Sequence, residues 1–457
     1  MLRALTVATI LSIPMLPTQG DAQELPPDSA ITAIIRDRVD AGWTPGIVVG
    51  VIRPDGSRKV YSEGLAPDGS RLNDRSVFEI GSITKAFTGI LLAEMAARGE
   101  VRLDEPVAAL LPAGTRVPEW NGKVITLLDL STQSSGLPRL PGNMPFADPT
   151  NPYADYTDSL LFDFLSMYTL TRDIGAEYEY SNLGVGLLGN ALARRRGTTY
   201  EALVTERVLA PLRMSDTRVT LSPDMRSRLA QGHGAEGEPA ANWDLPALAG
   251  AGALRSTAQD MLSFLAANIG GRVDGPLGSA LASAREPRKP AGSPALRIGL
   301  GWHILSRGGR DIVWHNGGTG GYRSFAGFDP VRKIGVIVLT NSANDSDDIG
   351  FHLLDSANPL VSSRGGRPVN VPELVLKDYE GEYKLAPGLN IVVTREGDQL
   401  FGQATGQGRF RMYAKDAYEF YLRVVEARIV FQRDSGGKVT AMTLYQNGQE
   451  ITGEKIR

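Results

Sequence analysis

The chain has 457 residues, of which 42% are hydrophobic and 22% charged, and its formal net charge at pH 7 is −3. A chain of this length can bury a large core and form two domains. The near balance of charges argues against binding to nucleic acids or to anionic membranes, which requires a basic excess or a basic stripe. Because the sequence contains no cysteine, we expect neither disulfide bonds nor a lipid anchor on cysteine.

The first 22 residues have the pattern of a secretion signal. Arg3 precedes an apolar run over residues 4–16, and small residues surround Ala22. The apolar run is too short to span a bilayer, whereas its length and the small residues fit a cleaved signal peptide. We therefore expect export, cleavage near Ala22, and a periplasmic or secreted mature protein without a stable membrane anchor.

The elements predicted for residues 23–357 place strands at both ends of a long helical region. In chain order they are a helix over 31–40, a strand over 47–52 that turns at Asp55–Gly56 and returns through 60–61, a mostly helical middle over 83–269, and strands over 312–314, 324–328 and 334–340. Strands from both ends that flank a helical insertion predict an α/β domain, with one mixed sheet and a helical subdomain.

The composition changes again at residues 358–372, which lack apolar periodicity and are rich in Gly, Ser, Arg and Pro. This segment is predicted to be a linker. Short alternating runs follow, at 389–393, 399–403, 418–422, 428–432 and 440–445. Their spacing predicts a small all-β barrel or sandwich over residues 373–457.

Ser82 and Lys85 are the first candidate catalytic pair. Apolar periodicity predicts a helix from residue 83 to 98, closed by Gly99. Positions i and i+3 share a helix face, so the Lys85 amine can reach the Ser82 hydroxyl, as a base beside a nucleophile. A plain helix cap is the alternative use of such a serine. Ser435 and Lys438 have the same spacing, but the glycines between them indicate a turn between strands.

Two further short motifs follow in the chain. Tyr180-Ser181-Asn182 precedes an apolar run and is predicted to lie on a loop that enters a helix. His315-Asn316-Gly317 follows a predicted strand, and the glycines after it allow close approach of backbone or ligand.

Taken in order, Ser82-x-x-Lys85, Tyr180-x-Asn182 and His315-x-Gly317 resemble the three active-site elements of the serine penicillin-recognising family. That family comprises class C β-lactamases, D-alanyl-D-alanine carboxypeptidases, D-amino-acid peptidases and related esterases. The similarity extends over about residues 30–355, and the tail from Glu373 resembles the lipocalin-like β domain of some D-amino-acid peptidases.

The resemblance implies a role for each catalytic residue. Ser82 would attack an acyl carbon and form an ester intermediate. Lys85 and Tyr180 would share the general-base role as a coupled pair, with Tyr180 preferred and the final assignment open. Asn182 would hold both Lys85 and the amide of the substrate.

The remaining expectations concern the His315-x-Gly317 motif and the residue after it. The oxyanion would be bound by the backbone N–H groups of Ser82 and Gly318, the residue after Gly317. Most class C β-lactamases carry lysine where this chain has His315, so we expect a pH-dependent histidine cation, with an unperturbed pKa of about 6.5, to pair with a substrate carboxylate. This substitution shifts the expectation away from efficient β-lactamase activity.

The predicted partners are small-molecule or peptide substrates: β-lactams, D-amino-acid peptides or esters. We expect no cofactor and no metal, because the four histidines include no His-Glu-x-x-His arrangement. Two alternatives stay open, a carboxylesterase on the same site and a sensor that acylates with a β-lactam but deacylates slowly. Leaving-group selection depends on the shape of the pocket, which sequence does not give.

Overall fold

The structure, a computed structural model, describes residues 25–361, 368–423, 425, 427–446 and 449–457. The predicted signal segment and residues 362–367 of the predicted linker lie outside this range. Within it, the strands of the first domain are β1 (Gly46–Ile52), β2 (Arg58–Gly64), β3 (Val77–Glu79), β4 (Glu119–Trp120), β5 (Lys123–Val124), β6 (Arg255–Thr257), β7 (Lys289–Pro290), β8 (Leu296–Ile298), β9 (His303–Arg307), β10 (Arg310–Gly318), β11 (Arg323–Asp329) and β12 (Ile334–Thr340).

The main sheet joins the two ends of the first domain. Its strands are antiparallel in the order β2-β1-β12-β11-β10-β9-β8-β7, with Val49 opposite Val338. Every residue of β1 and β12 is buried, because alternate side chains enter two different cores. Val48 packs in the core on one face of the sheet, and Val49 in the core on the other face. Continuous apolar runs therefore specify strands covered on both faces.

Helices supply the cover on each side and build the subdomain next to the sheet. They are α1 (Asp28–Asp40), α2 (Thr84–Ala97), α3 (Leu127–Ser131), α4 (Asp158–Met167), α5 (Asn182–Arg195), α6 (Tyr200–Val204), α7 (Pro223–Ser227), α8 (Ala249–Gly252), α9 (Ala258–Ile269), α10 (Gly275–Ala284) and α11 (Asp347–Leu354). Short 3₁₀ turns cover Gly81–Ile83 and Val107–Leu110, and a π turn covers Thr205–Leu209.

Helix α2 is the most deeply buried of these elements, since each residue from Thr84 to Met95 is inaccessible to solvent. Its close packing depends on Gly89, where an added Cβ would lie within 3.0 Å of the carbonyl oxygen of Leu300. Helix α5 begins at a conventional cap, in which the Ser181 hydroxyl accepts a hydrogen bond from Gly184 N at 2.8 Å.

The second domain begins with a short helix, α12 (Glu373–Lys377), and is a closed antiparallel barrel. Its strands are β13 (Gly381–Ala386), β14 (Leu389–Glu396), β15 (Gln399–Ala404), β16 (Arg409–Ala414), β17 (Glu419–Leu422), β18 (Ala427–Arg433), β19 (Val439–Gln446) and β20 (Gln449–Lys455). The interior is filled by aliphatic and aromatic side chains, with Tyr379 stacked on Phe431 at 4.1 Å between ring centroids. The lipocalin-like character of this domain stays a prediction.

Among the described residues, hydrogen bonds join the barrel to the first domain at two places. The Arg423 guanidinium donates to the carbonyl oxygens of Ala41 and Gly42, just after α1. The Tyr413 hydroxyl donates to Glu236 Oε2 at 2.8 Å, and Arg411 Nη1 donates to the Glu236 carbonyl at 2.9 Å.

The structure confirms the predicted fold class: an α/β sheet domain with a helical subdomain, plus a separate small β barrel. Helix α2 begins with a 3₁₀ turn at Ser82, as the spacing of Ser82 and Lys85 requires. Ser435 lies between β18 and β19 rather than on a helix. The sequence analysis missed β7, β8 and β9 of the main sheet, and β13, β16 and β20 of the barrel.

Candidate active site

Ser82 lies in the 3₁₀ turn that connects β3 to α2. The turn needs glycine before the serine, because Gly81 has φ of +47° and an added Cβ would lie 2.8 Å from Gly318 N. Strand β10 therefore packs directly on the turn. This packing is reinforced by Ser324, whose hydroxyl donates to the Ile80 carbonyl at 2.9 Å.

Lys85 is fully buried directly below the serine. Its Nζ lies 3.0 Å from Ser82 Oγ, 2.8 Å from Asn182 Oδ1 and 2.7 Å from the Ala251 carbonyl oxygen. Burial, assisted by the charge of Arg139, holds the pKa of Lys85 well below its ordinary value. The amide and carbonyl oxygens only accept hydrogen bonds, so they occupy the two N–H groups of a neutral amine. In its neutral form the amine would then direct its lone pair at the hydroxyl of Ser82.

Tyr180 is the third predicted catalytic residue, and it lies beside this pair. Its ring centroid is 4.7 Å from Lys85 Nζ, and its hydroxyl shares a hydrogen bond with Ser82. Burial raises the pKa of Tyr180, and the hydrogen bond with Ser82 opposes this only in part. The side chain is therefore a neutral phenol at neutral pH, which favours Lys85 over Tyr180 as the base.

Asn182 is the first residue of α5, and the start of that helix is fixed from several sides. Ser181 N donates to Gln133 Oε1 at 2.7 Å, and Ser181 Oγ donates to the Pro138 carbonyl at 2.6 Å. Asn182 Oδ1 accepts a hydrogen bond from Lys85 Nζ, and Asn182 Nδ2 donates one to the Tyr153 hydroxyl at 3.2 Å. Both ends of the amide are thus engaged within the site.

His315 has a different environment from the one expected. Its ring is 1% exposed, does not line the cavity beside Ser82, and packs 5.0 Å from the ring of His303 and 6.2 Å from that of Tyr180. Burial holds the pKa of His315 well below its ordinary value, helped by repulsion from His303 and Lys85. The ring is neutral and Nδ1 donates to the Asn316 carbonyl. Burial of the ring does not favour the expected histidine cation, and the pairing of His315 with a substrate carboxylate stays a prediction.

Gly317 and Gly318 lie at the end of β10 that faces the nucleophile turn. An added Cβ at Gly317 would lie within 3.0 Å of the Ile80 carbonyl oxygen, and one at Gly318 would lie 2.6 Å from Arg323 Nη1. Only glycine fits at Gly317, where the neighbour is backbone, and this lets the strand approach the turn of Ser82; at Gly318 the neighbour is the end of the flexible Arg323 side chain.

A cavity of about 600 Å³ opens above these groups. Its lining residues are Ser82, Arg139, Tyr153, Tyr180, Asn182, Trp243, Asn316, Gly317, Gly318, Thr319, Arg323, Ala343, Asp345 and Asp347. The cavity brings together Ser82, Tyr180, Asn182, Gly317 and Gly318 of the predicted set, with Lys85 beneath it.

Four charged residues of the lining were missed by the sequence analysis: Arg139, Arg323, Asp345 and Asp347. Arg139 lies outside the three motifs that carry the resemblance, so no motif marked it as a candidate. Asp347 is paired with the Asn316 amide, and burial, with repulsion from Asp345, raises its pKa to about 7. The site therefore carries both signs of charge.

No group of residues suited to a metal ion occurs in the described part of the chain. None of the helices described is long and apolar enough to cross a bilayer.

Comparison with known proteins gives matches over both domains. The beta-lactamase family model matches residues 31–358, and a domain of unknown function, DUF3471, matches residues 367–455. D-alanyl-D-alanine-carboxypeptidase/endopeptidase AmpH of Escherichia coli (strain K12) is 31% identical over 341 residues, covering 70% of this chain and 85% of that protein.

A beta-lactamase of Escherichia coli (strain K12) is 27% identical over 340 residues, covering 65% of this chain and 84% of that protein. Among solved structures, a beta-lactamase/D-alanine carboxypeptidase from Pseudomonas syringae superposes with a TM-score of 0.63 at 21% identity. That superposition covers 72% of this chain and 99% of the other, and it shows a shared fold.

Proposed function

Because the chain belongs to the beta-lactamase family, we propose that it is an exported serine hydrolase that forms an acyl-enzyme on Ser82. Its substrates in this proposal are D-amino-acid peptides or β-lactams, whose amide bonds it hydrolyses. The observation that carries the proposal is the placement of Lys85 Nζ, 3.0 Å from Ser82 Oγ with two acceptor oxygens on its other sides. Export rests on the signal pattern of the first 22 residues.

In the first half of the reaction, neutral Lys85 accepts the hydroxyl proton as Ser82 Oγ bonds to the acyl carbon. The backbone N–H groups of Ser82 and Gly318 are proposed to bind the oxyanion, an interaction worth about 3 kcal/mol of barrier per donor. The proton then passes from Lys85 through the Tyr180 hydroxyl to the leaving nitrogen as the acyl–nitrogen bond breaks. This assigns the base to Lys85, in place of the preference for Tyr180 that the sequence suggested.

In the second half, water attacks the acyl–Ser82 ester and gives up a proton to the same pair. The ester bond breaks, Ser82 regains its proton, and the carboxylic acid leaves. Asn182 is proposed to orient Lys85 throughout and to offer its amide to the substrate, as the hydrogen bond between Asn182 and Lys85 supports.

A carboxylesterase is the second candidate, and the burial of His315 favours it. A neutral ester needs only the nucleophile, the base and the oxyanion donors, and a buried, neutral His315 offers a substrate carboxylate no cation at that position. A panel of nitrocefin, D-alanyl peptides and short p-nitrophenyl esters separates the two candidates by their relative kcat/KM.

The test of the proposal is covalent labelling of Ser82. We expect a fluorescent penicillin or fluorophosphonate to label the wild type, and Ser82→Ala to abolish both labelling and hydrolysis with little change in Tm. Ser435→Ala is the matched control, because it removes the other serine with the same spacing to lysine and should change nothing. Labelling that survives in Ser82→Ala would place the nucleophile elsewhere.

The sensor alternative is tested on the same samples by time-resolved intact mass after addition of a penicillin. A transient adduct on Ser82 agrees with turnover, whereas an adduct that lasts for hours would replace the hydrolase with a slow-deacylating sensor.

A further inference from the structure

The backbone of Arg139 is fixed to the helix that carries Asn182. The Arg139 carbonyl accepts hydrogen bonds from Asn182 N at 3.0 Å and from Leu183 N at 3.3 Å. The preceding Pro138 carbonyl accepts a hydrogen bond from Ser181 Oγ at 2.6 Å. The Cα of Arg139 is therefore held at a defined position relative to the catalytic groups, although the side chain itself is exposed.

The guanidinium of Arg139 lies in the wall of the catalytic cavity. Its Cζ is 5.0 Å from the centroid of the Tyr180 ring, which is the distance expected for a cation over an aromatic face. This places a permanent positive charge beside the residue that hydrogen-bonds with Ser82.

Within the described residues, the Arg139 guanidinium forms neither a hydrogen bond nor an ion pair. The other arginine of the cavity is engaged: Arg323 Nη1 donates to the carbonyls of Thr319 and Tyr322 at 3.1 and 3.2 Å, and its charge acts on Asp347. Among the described residues, no protein acceptor therefore competes for the guanidinium of Arg139 at the cavity wall.

We propose that Arg139 is a specificity-determining residue that binds a carboxylate of the substrate, so that the site prefers acyl donors bearing an anionic group. The planar guanidinium matches a carboxylate with two parallel hydrogen bonds, which makes such pairs both strong and directional. Arg139 thus takes the role that the sequence suggested for His315. The inference rests on the proposed function, since it names the substrate class of the same site.

The position of Arg139 also links the charge of the substrate to the protonation of Lys85. The unpaired charge of Arg139 disfavours protonation of Lys85, and a carboxylate bound to Arg139 would cancel much of that effect. Lys85 then accepts the Ser82 proton more readily with an anionic substrate bound. Removal of Arg139 also removes the charge that disfavours protonation of Lys85, so its selective effect is expected as a raised KM for the anionic substrate.

The experiment compares a thioester substrate that carries a free carboxylate with the same thioester in which that carboxylate is a carboxamide. For Arg139→Gln, we expect the ratio of kcat/KM, anionic over neutral, to fall about 10- to 100-fold, the range for a hydrogen bond to a charged group. Arg139→Lys should recover part of the ratio, because it keeps the charge without the planar fork. An equal loss on both substrates, or an unchanged ratio, overturns the proposal.

Two control variants sharpen the comparison. Arg194 is an exposed arginine outside the cavity whose Cζ lies 5.4 Å from the Phe162 ring centroid, so Arg194→Gln should leave both substrates unaffected. Arg323→Gln tests the other cavity arginine. A selective loss for anionic substrate in Arg323→Gln but not in Arg139→Gln would transfer the role to Arg323 and refute the assignment.

A binding measurement keeps the inference testable apart from turnover. In the Ser82→Ala background, calorimetry with a D-alanyl peptide and its C-terminal carboxamide should show a preference for the carboxylate that Arg139→Gln removes. A preference that survives Arg139→Gln, or no preference at all, contradicts the proposal. Failure of wild-type labelling at Ser82 would instead refute the proposed hydrolase.

Discussion

Glu79 and Arg255 form a buried ion pair that ties the strand before Ser82 to β6. Arg255 Nη2 lies 3.1 Å from Glu79 Oε1, and their side chains are 7% and 3% exposed. The same carboxylate oxygen accepts a hydrogen bond from Trp243 N at 3.0 Å, on the wall of the cavity. The pair thus joins the nucleophile strand, β6 and one wall of the site.

Arg255→Leu should destabilise the fold by about 3–5 kcal/mol, because it leaves the Glu79 carboxylate buried without its cation. Burial already raises the pKa of Glu79 and Arg255 opposes that rise, so the variant should lose less stability at pH 5, where Glu79 can take up a proton, than at pH 8. Denaturant unfolding at both pH values checks this. Arg102→Leu, in an exposed pair with Asp104, is the control and should be silent. A loss independent of pH would contradict the charge argument.

Lys85→Met should lower kcat/KM by at least about 10²-fold on every substrate, since it removes the general base. Tyr180→Phe should reduce turnover as well, but it should keep the acid limb of the pH–rate profile. That limb belongs to Lys85, whose amine must be neutral, so activity rises with pH through its lowered pKa. Disappearance of the limb in Tyr180→Phe would return the base role to the tyrosine.

His315→Gln should leave the pH dependence of carboxylate binding unchanged. The buried ring stays neutral across the physiological range because its pKa is held far below the ordinary value, so its titration contributes nothing there. The measurement is the ratio of Kd for a D-alanyl peptide at pH 5.5 and 7.5, in the Ser82→Ala background with and without His315→Gln. If the ratio collapses to one only in the double variant, a cationic His315 binds the carboxylate after all.

Asp347→Asn should gain stability relative to the wild type as the pH rises from 5 to 8. Burial raises the pKa of this carboxyl from 3.8 to about 7, so the folded state holds the proton more tightly than the unfolded state. The contribution of Asp347 to stability is therefore fully present below about pH 4 and is lost as pH rises through about 7. The difference in Tm between variant and wild type should grow from pH 5 to pH 8.

Asp274→Asn serves as the control for that series, because its side chain is 85% exposed. The difference in Tm between Asp274→Asn and the wild type should be the same at pH 5 and pH 8. A flat difference for Asp347→Asn would mean that the carboxyl titrates as it does in the unfolded chain.

The fold was predictable where the sequence carries a periodic or continuous apolar signal. Strand β12 is a continuous apolar run from Ile334 to Leu339 and was predicted. Strand β9 begins with His and β16 alternates Arg with apolar residues, and both were missed. Their pairing comes from tertiary context, since β9 pairs with β10 and β16 closes the barrel between β15 and β17. The intrinsic strand propensity of a segment does not identify the strands with which it pairs.

Within the site, the contact between Ser82 and Lys85 was predictable from spacing, whereas Tyr180, Asn182, Gly317 and Gly318 were found through the motifs and the resemblance. Ser82 and Lys85 are three residues apart on a helical turn, so their contact follows from the helix itself. The burial of His315 depends on His303 and Tyr180, which are distant in sequence and meet it only in the folded domain. Arg139 belongs to no motif, and its importance arises from the ring that it faces.

The pairing of β1 with β12 has a consequence for how the protein acquires its structure. Gly50 lies opposite Ile337, and the turn of Ser82 is held by β10, so early and late parts of the domain must meet before either is stable. Contacts between such distant segments carry a large loop-closure cost and slow folding. The nucleophile is synthesised early, but the backbone that packs against it is synthesised late. The reactive turn therefore gains its packing partners on β10 and β11 only after those late strands have been synthesised.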